Sequence, residues 1–219
     1  MPPGNLFICP PCEKKLRVIQ GPTCFKCGKP LLAESAEYCR NCQTKKPSFT
    51  EGIAFLDYTS YYTKEFLTRV KYHGDRQLLD YPCMRFMKEK KPRILKWNAE
   101  ALIPVPVHRS RLLKRGYNQA EEIALRFQKE LRIPVDTTLL LRNRKTKAQK
   151  ALGNESRALN LYKAFSASGR SPYKTVILID DIYTTGATAE ACTRVLLSAG
   201  VEKVYFLSMA IGRDDRAEL

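Results

Sequence analysis

The stretch VILIDDIYTTGATAEA, residues 176–191, decides how the rest of the chain is read. It opens as an apolar strand at 176–179 and closes as a helix, with two adjacent carboxylates and a run of small hydroxyl residues between them. Ionised carboxylates are costly to bury unless something pairs with them. A strand that stops on Asp180 and Asp181 therefore stops at solvent or at a ligand. Outward from this point strands and helices alternate. GIAFLDYT (52–59), ALIPVPV (101–107) and KVYFLSMA (203–210) read as strands, the second with prolines that put its end in a loop or at a sheet edge. SYYTKEFLTRVKYHGD carries Tyr62, Phe66, Leu67 and Val70 on one helical stripe that Gly74 breaks, and RQLLDYPCMRFMKEKK reads as a helix despite Pro82. YNQAEEIALRFQKEL (117–131) has Asn118 as its cap, acids in its first turn and Ile123, Phe127 and Leu131 on one face. The expected fold is α/β, a mainly parallel sheet flanked by helices with right-handed crossovers.

In such a sheet the ligand crevice lies beyond the carboxyl ends of the strands, where the acid pair emerges. The loop TTGAT leads into a helix, so its backbone N–H groups and the helix dipole form an anion site, and Thr184, Thr185 and Thr188 offer hydroxyls. Gly186 lets the backbone approach the anion. A ligand with a phosphate at one end and hydroxyls at the other satisfies both halves, and a phosphorylated ribose has that form.

The whole chain has 219 residues, long enough for a full core and suited to one domain with a small appendage. Its beginning has no basic flank leading into an apolar stretch, and no run reaches the ~18 apolar residues of a membrane span. A cytoplasmic protein without membrane insertion is expected. The formal net charge of +16 favours polyanionic partners, from nucleic acid to phosphorylated metabolites.

Six of the eight cysteines form CxxC pairs before residue 43: CPPC at Cys9 and Cys12, CFKC at Cys24 and Cys27, CRNC at Cys39 and Cys42. In a cytosolic protein such pairs read as metal ligands before disulfides or redox dithiols. The second and third pairs, eleven residues apart with Gly28 after the first knuckle, suit one tetrahedral structural zinc on Cys24, Cys27, Cys39 and Cys42. Cys9 and Cys12 are half a site: they could swap into the first site, complete a second with ligands outside this chain, or pair across a dimer. Cys83 and Cys192 follow apolar patterns and read as small buried thiols. Tyr58, Tyr61, Tyr62 and Tyr72 read as core or rim packing rather than stacking platforms, and His73 and His108 as loop residues.

VILIDDIYTTGAT resembles the phosphoribosyl pyrophosphate (PRPP) motif of type I phosphoribosyltransferases. The resemblance implies that Asp180 and Asp181 hold the ribose hydroxyls and that Thr184, Thr185, Gly186, Ala187 and Thr188 cradle the 5′-phosphate. The wider chain resembles the ComF family of late competence proteins. The likeness rests on the knuckles, VKYHGD (70–75), PVPVHRSRLLKRGYNQA (104–120), RNRKTKAQKALGNESRALNLYKAF (142–165) and the acid–threonine motif. Members usually carry four CxxC pairs where this chain shows three.

By that resemblance Arg111, Arg115, Gly116, Asn118 and Gln119 belong to a pyrophosphate loop, and Lys145, Thr146, Gln149, Arg157 and Asn160 to a mobile loop that closes over the ligand. A solvated basic loop in which Asn118 merely caps a helix is the plainer reading of the first set. The resemblance further implies Mg²⁺ arriving with PRPP, single-stranded DNA and a ComFA-type helicase as partners, and a division into a zinc-ribbon segment (1–48) and a phosphoribosyltransferase-like domain (49–219). The alternative is a PRPP-dependent transferase outside competence whose acceptor no residue identifies.

Overall fold

The structure, a computed structural model, describes residues 8–143 and 163–212. Four parallel strands form the central sheet: β1 (Gly52–Asp57), β2 (Ala101–Pro104), β5 (Thr175–Tyr183) and β6 (Lys203–Ile211), in the spatial order β1-β6-β5-β2. Two short strands, β3 (Leu140–Arg142) and β4 (Phe165–Ala167), pair antiparallel beside it. The helices are α1 (Pro10–Lys15), α2 (Arg40–Lys45), α3 (Tyr61–Tyr72), α4 (Asp80–Leu95), α5 (Arg109–Arg115), α6 (Gln119–Leu131) and α7 (Ala187–Ser198).

The apolar run of β5 is buried on both faces, as a central parallel strand requires. Val176 and Leu178 join one core cluster, with Phe49, Phe206 and the inner face of α7; Ile177 and Ile179 join the other, with residues of α3, α4 and α6. In the second cluster Phe86 stacks on Phe55 at 5.0 Å and meets Phe127 edge-on at 5.2 Å, locking α4 and α6 to β1. On α3 the stripe is Phe66, Leu67 and Val70. Tyr62, expected among them, is exposed, because Thr63 takes the inward position.

Two elements differ from expectation, while β2 ends at its prolines on the sheet edge as expected. Strand β5 does not stop at the acids but runs through them to Tyr183, because β6 extends as far: Asp180 pairs with Ser208, Ile182 with Ala210 and Tyr183 with Ile211. Strand β2 is the one that stops, its last ladder pair being Pro104 with Ile179. The Val105 N–H still donates to Ile179 O (2.8 Å), after which Pro106 has no N–H to give. The basic segment after β2 is not a loop: His108 caps α5 by accepting from Ser110 N through Nδ1 (3.1 Å), and Gly116, at φ +79°, ends it.

The cysteine-rich segment is docked on the sheet. Val18 bridges antiparallel to Leu56, and Ile19 N and Asp57 N bond to Phe55 O and Arg17 O (2.8 Å each), covering the outer edge of β1. Gly28 sits at φ +75° with its α-carbon against β1; a Cβ there would lie 2.6 Å from Ala54 N. The strained backbone and the clash both act on Gly28→Ala, which should cost about 1–3 kcal/mol of stability in chemical denaturation. An unchanged midpoint would show that the knuckle does not rest on β1.

Candidate functional site

Where β2 stops and β5 continues, a cleft of about 380 Å³ opens beside the acid pair. Among the residues expected from sequence, Asp180, Asp181, Thr184, Thr188, Arg111, Arg115, Asn118 and Gln119 all line it. Thr185, Gly186, Ala187 and Gly116 shape the adjoining turns without lining the cavity. The expected loop residues Lys145, Thr146, Gln149, Arg157 and Asn160 lie outside the described residues.

Asp180 is nearly fully buried and its Oδ1 accepts from the Asp181 N–H at 2.8 Å. Burial, with the Asp181 carboxylate next to it, pushes the Asp180 carboxyl well above the usual carboxylate range, so it tends toward the neutral form. Asp181 takes a different partner. Its Oδ2 lies 2.6 Å from the Nζ of Lys71, which reaches in from the last turn of α3, and both side chains are largely shielded.

Beyond the acids the chain turns through Thr184 and Thr185 into α7, whose cap is Gly186 at φ +79°. A Cβ at Gly186 would lie 2.7 Å from Tyr183 Cζ, so the glycine serves both the left-handed turn and the close packing of the tyrosine ring beneath it. Tyr183 in turn packs against Phe49 and Phe206. The turn is thereby fixed, with the N-terminus of a 12-residue helix facing the cleft.

The opposite wall is basic. Arg115 donates to Gln119 Oε1 (3.0 Å) and to the Tyr72 hydroxyl (3.2 Å), with its guanidinium over the Tyr72 ring at 4.9 Å. Gln119 is buried, and its Nε2 has no hydrogen-bond partner among the described residues, leaving a donor for a ligand. Asn118 does what the plainer reading expected: Oδ1 accepts from Ala120 N (3.1 Å) as the cap of α6, and Nδ2 donates to Val105 O (3.0 Å). Its side chain ties α6 to the end of β2.

Lys71, Tyr58, Tyr72 and Arg142 also line the cleft and were not expected there as site residues. Lys71 and Tyr72 lie in the VKYHGD stretch, where helical periodicity alone marks them only as positions beside the buried stripe. Arg142, on β3, stacks over Phe165 at 5.0 Å, and burial together with nearby Arg111 lowers its pKa.

A second site lies in the ribbon segment. The Sγ atoms of Cys24, Cys27, Cys39 and Cys42 all fall within 4.8 Å of one another, a donor set that fits zinc. Cys9 and Cys12 are exposed and lie outside that cluster. Each of these two pairs, Cys9–Cys12 and Cys39–Cys42, straddles the start of a six-residue helix, α1 and α2. Cys83 and Cys192 are buried, and burial raises both thiol pKa values.

A family model described as double zinc ribbon domain matches residues 2–43. The chain is 31% identical to competence protein F of Haemophilus influenzae, over 94% of this chain and 93% of that one. It is 30% identical to competence protein ComFC of Bacillus subtilis, over 88% and 79%. The DNA utilization protein YhgH of Escherichia coli K12 is 23% identical over 92% and 88%. Among solved structures, purine phosphoribosyltransferase from Pyrococcus horikoshii aligns over 61% of this chain and 72% of that one, with a TM-score of 0.39 and 16% identity.

Replacing Cys24, Cys27, Cys39 or Cys42 by Ser should remove about one equivalent of zinc and destabilise the amino-terminal segment, whereas Cys9→Ser should leave that equivalent bound. Unchanged metal content in the first set, measured by elemental analysis, would refute the assignment.

Proposed function

The chain belongs to the ComF family of competence proteins, and from that premise we propose that its cleft binds PRPP or a related phosphoribosyl group and that the protein acts in DNA uptake. The observation that carries the first half is the meeting, in one cavity, of the acid pair, the threonine turn at the head of α7, and the cations of α5 and β3. The carboxyl groups suit the ribose hydroxyls, the turn suits a 5′-phosphate, and Arg111, Arg115 and the unpaired Gln119 donor suit a pyrophosphate. Its residues divide at about residue 48 into the ribbon segment and the domain that holds this cleft.

The second half rests on kinship and charge. Competence protein F and ComFC are similar to this chain over nearly all of its length, and the net charge of +16 exceeds what a small anionic ligand needs. We read the protein as cytoplasmic, handling incoming single-stranded DNA beside a ComFA-type helicase. Among the described residues no helix is long and apolar enough to cross a membrane.

The acid pair also supports a second reading, transfer of the phosphoribosyl group to an acceptor outside competence. Catalysis would then be positioning and charge stabilisation of the departing pyrophosphate.

Zinc fits the cysteine quartet, where it would serve as a structural cross-link. Magnesium, which the phosphoribosyltransferase resemblance brings with PRPP, does not fit the cleft's own oxygen donors. Asp180 leans toward its neutral form and Asp181 is already held by Lys71.

Calorimetric titration with PRPP in the presence of Mg²⁺ should show binding by the wild type and a loss of about tenfold or more in affinity for Asp180→Asn combined with Asp181→Asn. Equal affinity in the two proteins would take the acid pair out of the ligand site, and no binding by the wild type would refute the phosphoribosyl reading.

A further inference from the structure

A site with two adjacent carboxylates that accepts a polyphosphate ordinarily needs a divalent cation, because carboxylate and phosphate oxygens repel unless a positive charge stands between them. Here that charge is already part of the chain. The Lys71 Nζ lies 2.6 Å from Asp181 Oδ2, and the two side chains are only 20% and 15% exposed, so the pair is poorly screened by water. Its position is set by helix packing: Phe66, Leu67 and Val70 hold α3 on the core, and Lys71 follows directly after Val70.

Among the described residues the cleft's lining has more positive than negative groups. Lys71, Arg111, Arg115 and Arg142 line it against Asp180 and Asp181, four formal cations to two carboxylates. A strongly acidic cavity would call a dication in; this one repels it. A metal bound through Asp181 Oδ2 would have to displace an ammonium from a partly buried ion pair, leaving a poorly solvated charge behind, and one at the other oxygen would sit beside that ammonium.

We propose that Lys71 is the resident cation of the acid pair. It neutralises Asp181 and turns its remaining donors to the ligand's polyphosphate, so that the cleft takes a sugar carrying a polyphosphate without a divalent metal. An ammonium has three donors, and pairing with one carboxylate leaves donors for anionic oxygens. The second oxygen of Asp181 stays available for a ribose hydroxyl. The inference rests on the phosphoribosyl reading of the cleft and specifies how that site meets the ligand's charge. Lys71 is a positioning and charge-matching residue in it.

The test is calorimetric titration of the full chain with PRPP in buffer freed of divalent cations by a chelating resin, and again with Mg²⁺ added. No soluble chelator is used and zinc content is measured on each sample, so that the ribbon stays loaded. The wild type should bind with affinities that differ by less than about threefold between the two conditions. Lys71→Met should lose about tenfold or more without Mg²⁺ and recover part of the loss when Mg²⁺ is added, since Asp181 is then free for the metal, while Lys71→Arg should stay close to wild type.

Loss of more than about tenfold by the wild type when Mg²⁺ is withdrawn overturns the proposal without recourse to any variant. So does a Lys71→Met protein, with unchanged zinc content and melting temperature, that binds as the wild type does in both conditions. A wild type that binds in neither condition refutes the phosphoribosyl reading itself, and the proposal goes with it.

Discussion

The ladder between β2 and β5 ends at Ile179, four residues before β5 does at Tyr183, and the candidate site depends on that mismatch. Up to Ile179 the central strand is bonded on both sides and buried on both faces, which leaves no room for a ligand. Pro104 and Pro106 end β2, the chain turns away through Val107, and Asp180 and Asp181 keep a neighbour only in β6. Backbone groups on the open side and two carboxyl groups then face the same gap. A strand that continued through residues 105–107 would carry the β2–β5 pairing across the space and abolish the cleft.

The acids and the threonine turn were legible because their signals are local: an apolar run, a charge pair, small hydroxyl residues and a glycine in consecutive positions. The cysteine quartet was legible for the same reason, its spacing being the signal. The extent of β5 was not. Whether a strand ends at a charged residue depends on its neighbours, and the reach of β6 through Ser208 to Ile211 cannot be read from residues 176–183. Lys71, Tyr72 and Arg142 were missed as site residues because they come from α3 and β3, and only the folded sheet brings those elements to its carboxyl edge. The tyrosines show the same limit: Tyr61 and Tyr72 are exposed, and Tyr72 serves as a platform for Arg115, where packing had been expected.

The ribbon segment is joined to the site by packing. Gly28 lets the first zinc knuckle touch β1, Phe49 at the ribbon's exit meets Tyr183 edge-on, and Tyr183 lies under Gly186 of the phosphate-type turn. Next to Phe49, Ser48 donates through both N and Oγ to the Glu190 carboxylate at 2.7 Å, tying the same exit to the first turn of α7. Those bonds hold the Glu190 carboxyl below its usual range despite partial burial. The turn at residues 184–186 is thus held from the strand before it, the helix after it and the ribbon beneath it. Its shape does not have to be created by a ligand, and little ordering entropy is lost when an anion arrives.

The same economy governs the cations of the opposite wall. Arg115 is held by Gln119 and Tyr72, Arg142 lies over Phe165, and Lys71 is fixed by Asp181, so each long side chain already has an orienting partner. Charges held this way cost less to desolvate and order than free surface lysines, and they act at longer range in a cavity that water screens poorly. Asp180, drifting toward neutrality, removes one repulsive charge from the path of an anion while keeping a polar group for a hydroxyl. On the proposed phosphoribosyl reading, recognition divides by chemistry: hydroxyls at the acid pair, a terminal phosphate at the head of α7, and the remaining negative charge along α5 and β3, all of which line the cleft. A ligand with those three parts in one chain meets every group of the cleft, whereas a bare strand phosphate meets only the basic wall.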